Sequence, residues 1–158
     1  MEHILLPDED GINYGNYLSY LETIRQLLPE HIYQFASSEQ HFNLNSPHSL
    51  HDAWMESVTI SERRHKAAPF EPQVHIIVKL LGQRHDRLIV LEYENVSRYM
   101  VDGKPSLYNP ADTLHGDVFT HEIRVTNKNK IIHEILFVSD SRLQVECDNF
   151  THREELQG

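Results

Sequence analysis

The chain has 158 residues and a formal net charge of −10, from 14 Lys and Arg against 24 Asp and Glu. This length fits one domain, 1–158, with its own core. The shortage of basic residues argues against a nucleic-acid-binding protein. Cys147 is the only cysteine, which excludes an internal disulfide. No signal peptide and no membrane-spanning apolar run is visible, so we expect a cytoplasmic protein that does not bind membranes.

Apolar residues with helical spacing mark the amino-terminal part of the chain. Asn13 is a suitable helix cap. The stripe that follows consists of Tyr17, Leu21, Ile24 and Leu28, at spacings of four, three and four. Pro29 interrupts this helix and can open a second, shorter one. Residues 1–48 are therefore expected to be mainly helical and to end in a polar loop.

The rest of the chain has the pattern of strands. Six runs are predicted, at 54–62, 74–81, 88–93, 118–125, 131–138 and 143–147. The third run can continue over 96–101. Most runs alternate apolar and polar residues, which is typical of an antiparallel sheet with one wet face. The run at 131–138 is apolar on both faces and so predicts a central strand, and Asn127 to Asn129 predict a hairpin turn.

These patterns predict an α+β fold, with N-terminal helices packed on an antiparallel sheet of about six strands. Residues 49–150 would form the β-meander, and the polar residues 151–158 would form a frayed tail. A segment with two prolines, two glycines and no clear period separates the third and fourth runs, at 102–116. A loop of this length is usually functional or mobile.

The first candidate binding residues are the adjacent His51 and Asp52. With His41 and His48 they would form a metal cluster, but the spacing matches no established closed site. The alternative is that both side chains tie the loop to the first strand through backbone hydrogen bonds, as short polar side chains at turns often do. We favour this structural interpretation and predict no metal and no cofactor.

The second candidate is a repeated His-Glu step, at 121–122 and 133–134. A His and the following Glu point to opposite faces of a strand and cannot converge on one atom. The predicted hairpin would instead bring Glu122 near Glu134 across the pair. Two carboxylates can share acid–base work when their pKa values differ. The simpler alternative is that neighbours such as Arg124 neutralise both on the wet face.

Aromatic residues supply the remaining candidates. Tyr99 and Tyr108 flank the long segment and are candidate interface residues. Trp54 is expected to fill the core, and Cys147 to pack as a small hydrophobic residue.

The stretches SLHDAWMESVTI, LIVLEYENV and HEILF resemble small uncharacterised bacterial β-meander domains with a Leu-His-Asp step before the first strand. Some polymorphic-toxin immunity proteins look similar in this way. The resemblance covers roughly residues 49–147, implies a binding role and transfers no catalytic residue.

The leading functional hypothesis is therefore a non-enzymatic binding protein, for example an immunity-type inhibitor whose partner is a basic toxin domain. An acidic inhibitor would associate quickly with such a partner. The alternatives are a small-ligand-binding protein or metal-dependent enzyme with a His/Glu-lined pocket between helix and sheet, and a subunit of a larger assembly. The sequence does not fix the oligomeric state.

Overall fold

A computed structural model of the chain describes residues 1–8, 11–107, 109–111 and 114–158. The helices are α1 (Gly15–Ile24) and α2 (Glu30–Ser37), followed by short 3-10 turns at Arg25–Leu27 and Glu39–His41 respectively. The strands are β1 (Leu5–Asp8), β2 (Gly11–Asn13), β3 (Trp54–His65), β4 (Ala68–Leu81), β5 (Arg87–Glu94), β6 (Arg98–Asp102), β7 (Val118–Val125), β8 (Ile131–Phe137), β9 (Arg142–Cys147) and β10 (Asn149–Leu156).

The strands form two four-stranded antiparallel sheets and a small hairpin, so the expectation of one six-stranded sheet is wrong. The first sheet has the order β10-β5-β4-β3, the second has the order β6-β9-β8-β7, and β1 pairs with β2. The expected continuation of the third run over 96–101 is instead a separate strand, β6. At Asn95 the backbone takes a φ of 50°, which turns the chain out of the first sheet before β6 begins in the second.

The inner faces of both sheets contribute to one hydrophobic core. From β4 the buried residues Ile76, Val78 and Leu80 enter this core, as the alternation predicts. Ile123 and Ile135 enter it from the second sheet. An α+β fold with antiparallel sheets thus follows from the periodicity, whereas the division into two sheets does not.

The carboxyl-terminal residues are a paired strand, so the prediction of a frayed tail is wrong. β10 pairs with β5 along its whole length, from Asn149 opposite Glu94 to Leu156 opposite Arg87. Its polar sequence reflects its position at the edge of the sheet, where only the residues facing inward need to be apolar. Phe150 is one of these and is buried.

Helix α1 covers the free edge of β7. The amide nitrogens of Ile123 and Val125 donate to the hydroxyl oxygens of Tyr17 and Tyr20, at 3.0 Å in each case. The two amides are two residues apart on the strand and therefore point the same way. The two tyrosines are three residues apart on the helix and therefore lie on the same helix face, so the two pairs can meet. The contact leaves these two backbone donors unavailable to another strand.

Several local predictions are confirmed. Helix α2 begins directly after Pro29, and β8 lies between β7 and β9 inside its sheet. The hairpin turn closes with the amide of Thr126 donating to the carbonyl of Lys130 at 2.8 Å, and Asn129 adopts a φ of 57°. The prediction that Asn13 caps the helix is wrong, because Tyr14 occupies the N-cap position and Asn13, one residue earlier, accepts the amide of Gly15, the first residue of α1. Over the described residues, no helix is both long and apolar enough to span a bilayer.

Candidate functional site

A pocket of about 490 Å³ lies between α2 and β10. Three histidines contribute to its walls: His31 from α2, His41 from the 3-10 turn after α2, and His152 from β10. The other lining residues are Gln34, Phe35, Ser38, Gln40, Phe150 and Thr151. The alternative hypothesis expected a His/Glu-lined pocket between helix and sheet; this pocket has that position, but no Glu is among its described lining residues.

Phe35 is the centre of a cluster of four imidazole rings. Its ring centroid lies 4.4 Å from that of His41 and 5.0 Å from that of His152. His121 and His133 lie behind it, at 5.5 Å and 5.8 Å. Phe35 thus separates the pocket from two histidines that belong to the core.

A chain of hydrogen bonds runs through the buried part of this cluster. The Tyr93 hydroxyl lies 2.8 Å from Nδ1 of His133, and Nε2 of His133 lies 3.2 Å from Nδ1 of His121. When the Tyr93 hydroxyl donates to Nδ1 of His133, the proton of that ring is on Nε2 and is donated to Nδ1 of His121. The proton of His121 is then on its own Nε2, at the end of the chain. This direction is favoured because it aims the last N–H of the chain at the His41 backbone, whereas the reverse would leave the buried Tyr93 proton without an acceptor.

Nε2 of His121 and Nε2 of His152 are buried without a hydrogen bond of normal geometry among the described residues, although the His41 backbone is near enough to His121 to oppose the lowering of its pKa. Burial lowers the pKa of His121 to about 3 and that of His152 to about 4. Burial also lowers the pKa of His41, although the Phe35 carbonyl 2.7 Å from its Nδ1 opposes the shift. These rings are therefore neutral at pH 7, and His152 retains unused hydrogen-bonding capacity among the described residues.

The cluster is not a ready-made metal centre. Within the described ranges, no three His, Cys, Asp or Glu side chains are placed to hold one ion. The candidate cluster of His41, His48, His51 and Asp52 is also not brought together: His48 bonds Glu154 at 2.8 Å, and His51 bonds the Phe119 carbonyl at 2.7 Å.

The candidate carboxylates Glu122 and Glu134 do lie directly opposite each other across β7 and β8. One nitrogen of Arg124 binds both, at 2.7 Å and 2.6 Å. The Met1 amino group adds a contact of 2.9 Å to Glu134. Arg142 binds the same oxygen of Glu134 as the Met1 amino group, Oε1, at 3.2 Å.

Glu122 also binds the amino-terminal segment. Its carboxylate accepts the amides of Glu2, His3 and Ile4 at 2.9, 2.8 and 2.7 Å. Burial raises the pKa of this carboxyl, but the bond to Arg124 and the three amides outweigh burial and the pKa is lowered. The carboxylate is therefore ionised at pH 7 and holds the segment against β7.

The expectation that these charges sit on a wet face is wrong. Glu122, Arg124 and Glu134 are all buried. The residues that cover them come from the amino terminus, about 120 positions away in the sequence, so the pattern of the strand alone gives no sign of them. Neutralisation by Arg124 is confirmed, in the interior rather than at the surface.

His51 and Asp52 contact a different strand from the one expected. His51 bonds the Phe119 carbonyl on β7, and the Asp52 amide donates to the Val118 carbonyl at 2.9 Å. The Asp52 side chain is half exposed, and its carboxylate lies 3.3 Å from Nε2 of His51. Asp52 has a φ of 62°, a left-handed conformation that Asp and Asn adopt more readily than most residues.

The aromatic candidates and Cys147 differ in how far they are exposed to solvent. Tyr99 lies exposed on β6, and Tyr108 lies outside the described residues. Cys147 is buried, as expected. Trp54, which was expected in the core, is 46% exposed, so that prediction is wrong.

Trp54 forms one wall of an apolar cleft of about 470 Å³. Its indole nitrogen donates to Asp117, and its ring centroid lies 4.4 Å from that of His85. The other lining residues are Met55, Leu114, His115, Gly116 and Asp117. Gly116 has a φ of 73°, and a Cβ there would lie 2.5 Å from Cγ2 of Val138, so a side chain at this position would disturb the cleft floor.

The sequence predicted a pocket between helix and sheet but not the histidines that meet there, and it did not predict the cleft. The signal for the histidines was a histidine at an inward position of three strands, at 121, 133 and 152. Comparison with known proteins adds no analogy for either site, because no family model, curated protein or solved structure matches this chain.

Proposed function

We propose that this chain is a non-enzymatic, cytoplasmic binding protein whose partner is a basic protein domain, and that the Trp54 cleft receives an apolar side chain of that partner. The resemblance to immunity proteins gives the proposal its most specific form, an inhibitor that binds a basic bacterial toxin domain.

The observation that carries the proposal is the exposed, positioned tryptophan. Trp54 exposes almost half of its surface beside Leu114, which is 68% exposed. Tryptophan is enriched among the residues that dominate interface energies. The bond to Asp117 and the contact with His85 fix the indole before binding. A side chain that is already ordered loses less entropy when a partner covers it.

Charge supports a basic partner. The net charge is −10, and the half-exposed Asp52 carboxylate lies two residues before Trp54. Asp117 adds a second carboxylate to the cleft itself. Complementary charge at the rim of an interface raises the association rate and selects against acidic competitors.

A binding role is also consistent with the surroundings of the two carboxylates that had suggested acid–base catalysis, and with those of the single cysteine. Glu122 and Glu134 are held by Arg124 inside the fold. Burial raises the pKa of the Cys147 thiol to about 12, so the reactive thiolate is scarce at neutral pH.

The test is to look for a toxin domain encoded next to this gene and then to titrate the chain with that domain by calorimetry. Trp54→Ala should weaken binding about 30-fold, the effect of losing a central aromatic anchor. Phe70→Ala is the matched control, because Phe70 is 93% exposed on another part of the surface, and it should change affinity less than about twofold. No binding by the wild type, or equal losses in both variants, would overturn the proposal.

A second candidate function is small-ligand binding in the histidine pocket. The observation that favours it is Nε2 of His152, which belongs to a lining residue of the pocket and is buried without a hydrogen-bond partner among the described residues, since such groups usually find partners. Equilibrium dialysis with Zn²⁺ distinguishes a pocket that binds a metal ion from a pocket that binds an organic ligand. A metal-dependent site requires about one Zn²⁺ per chain, lost in His152→Gln, whereas a site for an organic ligand requires none.

A further inference from the structure

The two sheets have four outer strands, and three of their edges are protected. The edge of β7 is covered by Tyr17 and Tyr20 of α1. At β10, the His31 ring donates to the Phe150 carbonyl at 3.0 Å. β3 is interrupted by two register shifts, which disturb pairing with a further strand.

The fourth outer strand, β6, has no such protection. It pairs with β9 on one side, and no described strand pairs with its other side. All five of its residues are exposed, including three consecutive apolar ones, Tyr99, Met100 and Val101. An exposed strand edge with an apolar centre is a template for pairing with another chain.

The sequence of β6 is complementary to itself. Its five residues, Arg-Tyr-Met-Val-Asp, carry opposite charges at their two ends. In an antiparallel pair centred on Met100, Arg98 of each copy lies opposite Asp102 of the other. The same register places Tyr99 opposite Val101, an aromatic and β-branched pair of the kind that stabilises neighbouring strands.

The charges at both ends are free to make these contacts. Within the described part of the chain, Arg98 has no ion-pair partner, and Asp102 has only Lys104 at 4.0 Å. Tyr99 and Val101 lie opposite Val145 and Leu143 of β9, which are buried in the core. A second strand beside β6 would therefore continue the apolar face of the sheet.

From these observations we infer that β6 is a dimerisation edge, at which two copies of the chain pair antiparallel about Met100 and form one continuous eight-stranded sheet. The interface is isologous, because each copy contributes the same strand. It lies at the opposite edge of the second sheet from β7, next to which Trp54 bridges Asp117.

Sedimentation velocity over a concentration series, up to about 0.5 mM, tests the inference. The wild type should show a reversible monomer–dimer equilibrium. Arg98→Asp and Asp102→Arg should each weaken the dimer about tenfold, because each places like charges opposite each other twice. The double variant restores opposite charges in the same register and should return to within about threefold of the wild type.

Urea unfolding of each variant as a dilute monomer checks that the fold is retained, which the exposure of both positions leads us to expect. A wild type that stays monomeric overturns the inference. So does a dimer that ignores both single charge reversals, or a double variant as weak as the single ones, since either result places the contact elsewhere or in another register.

Discussion

The hydroxyl group of Tyr93 lies 2.8 Å from Nδ1 of His133, so one hydrogen bond joins β5 of the first sheet to β8 of the second through the core. Tyr93→Phe removes the hydroxyl and leaves the imidazole nitrogen buried without a partner. We expect the free energy of unfolding to fall by about 1–3 kcal/mol, measured by urea denaturation. Tyr99→Phe, an exposed position, is the matched control and should change little. Equal stability of Tyr93→Phe and wild type would contradict the assigned bond.

The histidine cluster predicts a loss of stability in mild acid. The pKa of His152 is lowered to about 4 and that of His121 to about 3, in both cases mainly by burial. An unfolded histidine takes up its proton near pH 6.5. Below that pH the unfolded state binds more protons than the folded state, so acidification favours unfolding until the folded pKa is reached.

Each such imidazole should contribute up to about 1.4 kcal/mol of lost stability per pH unit. Unfolding curves at about pH 6 and pH 5 isolate this effect, because unfolded carboxylates titrate mostly below that range. His152→Gln should flatten the dependence, and His65→Gln, at an exposed position, should not. A stability that is constant over this interval would show that the rings are not buried as neutral groups.

Glu122 predicts a different kind of defect. Glu122→Gln removes the negative charge that balances Arg124, and it weakens the hydrogen bonds that the amides of residues 2–4 donate to this side chain. Removing one partner of a buried ion pair typically costs about 3 kcal/mol or more, and hydrogen exchange at those amides should accelerate. Glu62→Gln disturbs the exposed pair with Arg64 and serves as the control. If both variants melt alike, the buried network is not a stabilising element.

Asp52 should matter through its backbone conformation. At a φ of 62°, Asn substitutes for Asp easily, whereas Ala costs about 1–2 kcal/mol in a left-handed conformation. Asp52→Asn should therefore keep most of the melting temperature, and Asp52→Ala should lower it. If Asp52→Gly, which relieves the strain, melts like Asp52→Ala, the side-chain contact with His51 is responsible instead.

Local features of this fold follow from local sequence. The hairpin at Asn129 and the start of α2 after Pro29 depend on residues within one turn, and both were predictable. The apolar alternation of β4 places its core residues correctly because one face of the strand is buried. Alternation does not say which strands pair, so it cannot separate one sheet of six strands from two sheets of four.

The functional features depend on contacts between distant segments. Glu122 is buried because residues 2–4 cover it, and His121 meets His133 and Phe35 only after three elements have packed together. Trp54 shows the opposite case. Its residue type favours the core, but its position at the start of β3, bonded to Asp117, leaves one side of the ring in solvent.

The cleft proposal can be tested directly because Trp54 is the only tryptophan in the chain. Replacing it biosynthetically with 5-fluorotryptophan gives a single ¹⁹F resonance that reports on the cleft. When the basic toxin domain is added to saturation, the account predicts that this resonance shifts and loses its sensitivity to a soluble paramagnetic quencher. Saturating binding that leaves the resonance at its original position and equally accessible to the quencher would contradict it.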